Sequence, residues 1–178
     1  MNIFVLDKNP AACAAMHCDK HVVKMILEYA QLLSTAHRLL DGTPIRMSGA
    51  KGKMVTKYVM EDPDMEEQLY RQTHINHPCG IWARECADNY VWLFRLFIEC
   101  CRQYTLRYGK VHATERLIPY LGKLPQNIDC DKTMTPFAQA MPDECKHDNP
   151  VMAYRKYYKD VKHPIAKWSY TAEPHWWG

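Results

Sequence analysis

The sequence predicts a mainly α-helical protein that forms a single domain over residues 1–178. Apolar residues recur at helical spacing in two long stretches, and no stretch shows the strict apolar–polar alternation of a half-buried β-strand. The length suits one domain with a proper core. We therefore expect an all-α (mainly α) fold, built on two long helices with shorter helices and an irregular aromatic C-terminal tail.

The first long helix is predicted from the residues that begin it and the residues that end it. A short apolar run, residues 3–6, fits a strand or an extended arm, and Asn9–Pro10 then supplies an N-cap and a proline at the first helical position. We expect a helix of roughly 30 residues from there to Leu40, where Asp41–Gly42 stops it. Residues 45–60 are basic, and we predict a flexible surface loop that could contact an anion.

The rest of the chain is predicted to hold a second long helix between shorter elements. This helix follows Asn76–His77–Pro78 and ends at Gly109, a residue typical of helix C-termini. The other segments are a short helix from Asp62–Pro63 to about Gln72, a short helix over 114–121, an irregular stretch over 122–147 and a last helix after Asn149–Pro150.

A stripe of polar residues follows the first long helix. At ~100° of rotation per residue, one narrow arc holds His17, His21, Lys24, Glu28, Gln31 and Thr35. The other positions are apolar almost all round, which indicates a buried helix, so the stripe faces either a strip of solvent or a cleft. Two imidazoles, an amine and a carboxylate are general acid–base groups, and this content favours a cleft.

Composition and charge narrow the function classes. The formal net charge is +3 and the pI is about 8.4, values that permit a nucleic-acid partner without requiring one. No apolar stretch approaches the ~20 residues that cross a membrane, and the N-terminus lacks a signal-peptide pattern. We predict a soluble cytoplasmic protein (host cytoplasm, if it is viral) whose eight cysteines are reduced and mostly pack in the core.

Metal sites and phosphate loops find little support in the motifs. The histidine and cysteine clusters that invite a metal are His17/His21 and His74/His77/Cys79. Neither cluster has the Cys-x-x-Cys or spaced Cys2His2 pattern of a structural zinc site. The Walker spacing and the nucleophile elbow of hydrolases do not occur. We therefore expect no metal.

Two further segments could contact phosphates. Asn76–His77–Pro78 fits a helix cap, and its backbone N–H groups could equally hold a phosphate with help from Arg84. Residues 154–159 interleave Arg and Lys with Tyr, a mixture that suits a surface meeting phosphates and stacking on bases. An aromatic tail packed across the core would explain the same rings.

Three blocks together resemble the phage pyrimidine-dimer DNA glycosylase/AP-lyase family, of the endonuclease V type, and its wider superfamily. The first is Asp19–Lys20–His21, with Glu28 seven residues beyond the histidine. The second is Asn76–His77–Pro78 before a long helix that ends at Arg107–Tyr108–Gly109. The third is the Tyr–Arg–Lys–Tyr–Tyr–Lys segment at 154–159, similar to the family's aromatic and basic DNA-contacting tail.

The resemblance implies a DNA N-glycosylase for a damaged or modified base, with associated AP-lyase activity, no cofactor and no obligate protein partner. In the family, an N-terminal α-amine attacks C1′ of the nucleoside and forms a Schiff base, while a glutamate handles protons. The implied catalytic residues are Met1, His21, Lys24 and Glu28. The implied residues contacting the DNA duplex are Asn2, His17, Gln31, Asn76, His77, Trp82, Arg84, Arg155, Lys156 and Tyr157.

The nucleophile and two other functions stay open at this point. The family exposes the amine of a small residue after Met1 is removed, whereas Asn2 favours retention of Met1. The amine of Met1, Lys20 or Lys24 could serve, or Glu28 could activate a water in a monofunctional enzyme. The alternatives are a nucleotide- or base-modifying enzyme on the same scaffold and a non-catalytic nucleic-acid-binding protein. In the latter, the binding residues would include the tail and Lys51, Lys53 and Lys57.

Overall fold

The computed structural model describes residues 1–49 and 52–178, and within them the protein is mainly helical, as predicted. The α-helices are α1 (Pro10–Met16), α2 (Asp19–Asp41), α3 (Pro63–Gln68), α4 (Pro78–Ala83), α5 (Ala87–Tyr108), α6 (Ile118–Leu121) and α7 (Pro150–Tyr157). The strands are β1 (Thr43–Ser48) and β2 (Met54–Val59). Single turns of 3₁₀ or π-helix lie at Ala113–Leu117, Asp143–Cys145, Tyr158–Lys162 and His163–Ile165.

The core lies where α2 packs against α5, with α1 on α5 and α4 on α2. Apolar side chains from both long helices are fully buried there, among them Tyr29, Leu33, Leu93 and Phe97. Gly109 ends α5 at a φ of 64°, a left-handed conformation that glycine adopts without strain, so the predicted stop is confirmed.

The prediction of one helix from Pro10 to Leu40 is wrong, because the chain breaks at His17 and Cys18. Both residues have extended backbone, with ψ angles of 135° and 161°. Tertiary bonds occupy the backbone groups that would continue the helix. Arg107 donates to the His17 carbonyl oxygen at 2.8 Å, and the Asp19 amide donates to the Lys167 carbonyl oxygen at 2.8 Å.

The second long helix is also divided, since α4 ends at Ala83 and α5 begins at Ala87. The Asn89 side chain donates to the Trp82 carbonyl oxygen at 2.9 Å, which satisfies a group at the end of α4. The Ala87 amide donates to the Asp129 carbonyl oxygen at 2.8 Å, which anchors the start of α5 to the irregular segment.

The predicted surface loop over 45–60 is a β-hairpin instead. Strands β1 and β2 pair antiparallel, with Ile45 opposite Lys57 and Met47 opposite Val55. Gly52 has a φ of 71°, which the turn requires. Lys51 lies outside the described residues. Helix α3 ends at Gln68, not at about Gln72 as predicted. In the segment after it, the Gln72 side chain donates to the Thr56 carbonyl oxygen at 2.7 Å and so supports β2.

The remaining segments agree with prediction in outline. The N-terminal residues 2–6 form a buried extended arm, and Asn149 caps α7 by accepting from the Val151 amide. Seven of the eight cysteines are buried free thiols, in keeping with a packing role. Within the described residues, no helix combines the length and apolar composition that a membrane crossing requires.

Candidate functional site

A pocket of about 320 Å³ opens where the N-terminal arm meets the first half of α2 and the end of α7. Its volume lies at the lower end of the range of small-molecule sites. The lining residues are Met1, Asn2, Phe4, Lys20, His21, Lys24, Met25, Glu28, Ala140, Tyr157, Lys162 and Ile165. Polar residues of the α2 stripe therefore do face a cleft.

The Glu28 carboxylate lies between two amines. The α-amine of Met1 is 3.8 Å from Glu28 Oε2, and Lys24 Nζ is 3.2 Å from Glu28 Oε1. The Glu28 side chain is 13% exposed and that of Lys24 is 69% exposed, so the carboxylate is sheltered while the lysine reaches from solvent. Lys24 precedes Glu28 by one helical turn, which brings their side chains together. An amine beside a sheltered carboxylate can transfer a proton to it.

Asn2 fixes the position of the Met1 amine. Its side-chain nitrogen donates to the Ala140 carbonyl oxygen at 2.7 Å, and its Oδ1 accepts from the Ile3 amide at 2.9 Å. The Tyr154 hydroxyl lies 2.8 Å from the same Oδ1, and the Cys79 thiol donates to it at 3.4 Å. Asn2 is 8% exposed, so its side chain acts inside the protein and places its neighbour, Met1, at the pocket.

The pocket carries an excess of positive charge. Lys20, Lys24 and Lys162 line it together with the Met1 amine. Among the lining residues of the described chain, Glu28 is the sole carboxylate. Lys162 also lies over the Tyr157 ring, 4.8 Å from its centroid, so that ring is held at the edge of the pocket. Four cations around one carboxylate favour a substrate that carries negative charge.

Two histidines, His21 in the lining and His77 beside the pocket, are neutral groups. Burial, together with the nearby His17, Lys162 and Lys24, lowers the pKa of His21 to about 3. Burial also lowers the pKa of His77, with the Met1 amine contributing and Glu28 opposing. Both imidazoles are therefore neutral at neutral pH, and they can donate or accept a hydrogen bond without adding charge.

Two residues expected at the DNA lie in the core instead. His17 is fully buried, and its ring nitrogens bond to the Cys13 carbonyl oxygen and the Tyr29 hydroxyl, both at 2.7 Å. It precedes α2, and the break at Cys18 takes it out of the helical phase that the stripe assumed. Trp82 is 3% exposed and donates to the Thr135 carbonyl oxygen at 3.3 Å.

The segment before α4 lies beside the pocket rather than in its lining. His77 caps α4, since its side chain accepts from the Cys79 amide at 3.2 Å, and Asn76 is exposed in the preceding turn. Arg84 donates to the Ile75 carbonyl oxygen at 2.8 Å and so braces this turn. Gln31 is half-buried one turn beyond Glu28.

The three residues of α7 that were expected to contact DNA, Arg155, Lys156 and Tyr157, have different roles. Arg155 Nε donates to the Leu6 carbonyl oxygen at 2.9 Å, and its guanidinium lies over the Trp176 ring, so it ties the N-terminal arm to the tail. Lys156 is exposed and pairs with Asp160. Tyr157 lines the pocket. The structure thus brings one of these three residues to the site.

Sequence reasoning missed Lys162, which reaches the pocket from a π-helical turn after α7. No local motif marks this lysine, because only the packing of α7 on the N-terminal arm carries it to α2. Ala140 and Ile165 enter the lining for the same reason. Phe4 had a weak signal, since it lies in the apolar run at residues 3–6.

No group of three or more potential metal ligands occurs within residues 1–49 and 52–178. Comparisons of the chain with models of protein families, with curated proteins and with solved structures found no match.

Proposed function

We propose that this protein is a DNA N-glycosylase for a damaged or modified base, with an associated AP-lyase activity, that acts in the cytoplasm of its cell or host. One observation carries the proposal: an α-amine and a sheltered carboxylate lie 3.8 Å apart inside a cationic pocket. The resemblance of Asp19–Lys20–His21 and Glu28 to the phage pyrimidine-dimer glycosylases supports the same chemistry from an independent direction.

The proposed reaction begins with transfer of a proton from the Met1 ammonium to Glu28. The free amine then forms a bond to C1′ while the glycosidic bond breaks, and the departing base takes up a proton. Opening of the C1′–O4′ bond, with a proton delivered to O4′, gives a Schiff base between Met1 and the sugar. Loss of a C2′ proton then expels the 3′ phosphate, which completes the lyase step.

The positive charge of the pocket supports DNA as the substrate. Lys20, Lys24 and Lys162 can each meet a phosphate oxygen, and Tyr157 offers a ring on which a base can stack. A base in a duplex must first be extruded, at a cost of a few kcal/mol, and this cost is smallest for damaged or weakly paired bases. The pocket therefore suits a damaged or modified base better than an undamaged one.

The test is the release of free base from duplexes that each carry one damaged or modified base, followed by chromatography. We expect Glu28→Gln to lower the rate by at least about 10³-fold, because the amide cannot accept the proton. Lys24→Gln is the matched control on the same helix face, and it should lower the rate by about tenfold or less. No release from any duplex by the unchanged protein would overturn the proposal.

The same experiment separates the two alternatives. A nucleotide-modifying enzyme would release or modify the base of a free nucleotide, and it would not bind DNA at moderate salt. DNA binding with a steep salt dependence, unaffected by Glu28→Gln and without turnover, would identify a non-catalytic binding protein.

A further inference from the structure

A second cavity, also about 320 Å³, lies at the C-terminal end of α2, away from Glu28. Its carboxylates are Asp41, Glu61 and Asp62, and Lys123 is the one ammonium among the described lining residues. Met60, Met65 and Leu124 supply apolar walls. The charge balance of this cavity is opposite to that of the Glu28 pocket.

The hydrogen bonds of His37 fix its tautomer. The Tyr90 hydroxyl donates its single proton to the Leu121 carbonyl oxygen at 2.9 Å, since a carbonyl cannot donate. The contact of 2.8 Å between His37 Nε2 and the Tyr90 oxygen therefore needs a proton on Nε2. Burial lowers the pKa of His37 to about 4, although Asp41 and the Lys123 backbone oppose this, so the ring is neutral and Nδ1 carries a lone pair.

This lone pair has no donor within the described part of the chain. His37 is 1% exposed, and Nδ1 makes no hydrogen bond. Its neighbour one turn along α2 is Asp41 Oδ2 at 3.9 Å, an acceptor that already takes a hydrogen bond from the Gln126 amide at 2.9 Å. A buried acceptor without a partner costs about 1–3 kcal/mol. An unpartnered Nδ1 beside a carboxylate in an acidic cavity indicates that a donor from outside the chain completes the site.

The geometry selects the donor. If a ligand nitrogen lay ~2.8 Å from both acceptors, the angle Nδ1···N···Oδ2 at that nitrogen would be about 90°. Two N–H bonds of one ammonium group could therefore point to the two acceptors. A tail of a few methylene groups would then lie along Met60, Met65 and Leu124. One water occupies ~30 Å³, so a single bridging water would leave most of the cavity unfilled.

We propose that this cavity binds a primary alkylammonium ion, with its charged head between His37 Nδ1 and Asp41 Oδ2. Glu61 and Asp62 at the rim neutralise the charge and favour a second ammonium at the other end of the ligand. Diamines with short aliphatic chains are therefore the preferred class. The site is separate from the proposed glycosylase pocket, and its existence does not depend on that function.

Titration with 1,4-diaminobutane and n-butylammonium, followed by calorimetry and by the ¹⁵N shift of His37 Nδ1, tests the site. We expect saturable binding with dissociation constants of low millimolar or below, the diamine being tighter, and a ¹⁵N shift that reports a new donor at Nδ1. n-Butanol has the same tail without the charge, and it should bind at least about tenfold more weakly.

Variants of the rim provide the second arm. Glu61→Gln and Asp62→Asn keep the shapes of both side chains, and asparagine retains the ability to cap α3. Each should weaken diamine binding by about fivefold, whereas Glu144→Gln, an exposed acidic residue on another segment, should leave it unchanged. No saturable binding, equal binding of butanol and butylammonium, or an unmoved His37 signal would overturn the proposal in favour of a cavity filled by water alone.

Discussion

The two halves of α2 present opposite chemistry along one helix. Near its start, Lys20, Lys24 and Glu28 line an open cationic pocket beside the Met1 amine, whereas near its end Asp41 lines an acidic cavity. Between them, Arg38 is buried and fully bonded. A polar group on this helix therefore has a structural role where other parts of the chain satisfy its hydrogen bonds. It is available for chemistry where it faces a cleft.

Arg38 shows how complete the structural case is. Its guanidinium donates to the carbonyl oxygens of Tyr70, Tyr58, Glu66 and Leu69 at 2.7 to 3.0 Å, and to Glu66 Oε2 at 2.5 Å. These bonds join α2, β2, α3 and the segment after α3. Among the residues that the structure describes, Glu28 has two amines nearby and no comparable network of hydrogen bonds.

The largest expected difference between the two halves is in stability. Arg38→Met removes the side-chain donor of four carbonyl groups and one of the three donors to the Glu66 carboxylate, so we expect the free energy of unfolding to fall by about 3–5 kcal/mol. Glu28→Gln should change it by about 1 kcal/mol or less, because glutamine keeps the shape of the side chain and the partner Lys24 is itself exposed to solvent. Urea unfolding of both variants measures the difference. Equal losses would contradict the distinction between the fully bonded Arg38 and a carboxylate that faces a cleft.

Acidification should destabilise the protein through its buried neutral histidines, His17, His21 and His37. In the unfolded state each histidine takes up a proton below about pH 6.5, its ordinary pKa. In the folded state burial lowers the pKa of His37 and His17 to about 4 and that of His21 to about 3. Stability is therefore present above pH 6.5 and is lost as the pH falls. We expect a loss of about 2 kcal/mol for each histidine between pH 7.5 and pH 5.

The variant His37→Gln isolates the contribution of His37 to the pH dependence of the free energy of unfolding. It should be less stable at pH 7.5, but its unfolding free energy should depend less steeply on pH, by the share of one histidine. The Arg38–Glu66 pair does not contribute over this range. Although burial alone would raise the pKa of Glu66, hydrogen bonds from Lys57, the Met60 amide and Arg38 lower it to about 2. An unchanged pH dependence would contradict the assignment of His37 as a buried neutral group.

A smaller effect on stability than that of Arg38 is expected at Asn2, whose hydrogen bonds are satisfied and which lies next to the open pocket. Asn2→Ala removes the donor to the Ala140 carbonyl oxygen, at a cost of about 1–2 kcal/mol. Base release should fall by at least about tenfold, because the Met1 amine loses its fixed position. Glu144→Ala, at an exposed residue outside the pocket lining, is the control for both readouts. Full activity in Asn2→Ala would show that placement of the amine does not matter.

The sequence predicted the parts of the site that depend on local periodicity. His21, Lys24 and Glu28 share one helix face, so their common pocket follows from α-helical geometry. His17 escaped the prediction because the break at Cys18 is made by Arg107 and by the tail, which are distant in sequence. Local spacing contains no record of such tertiary bonds.

The hairpin was missed for a different reason. Met54–Val59 alternates between two faces, but exposed apolar residues such as Met47 and Val55 blur the alternation that marks a half-buried strand. The glycines at 49 and 52 were the available signal for a turn. The acidic cavity, in contrast, could not be predicted at all, because it assembles residues of α2, the end of β2 and the segment after α6.

Borohydride reduction of the protein on a duplex that carries an abasic site, followed by peptide mapping, tests the central claim most directly. We expect a covalent sugar adduct on the N-terminal peptide, residues 1–8, at the α-amine of Met1, and its loss in Glu28→Gln. An adduct on Lys20 or Lys24, or no adduct at all, would contradict the claim that Met1 and Glu28 form the reactive pair.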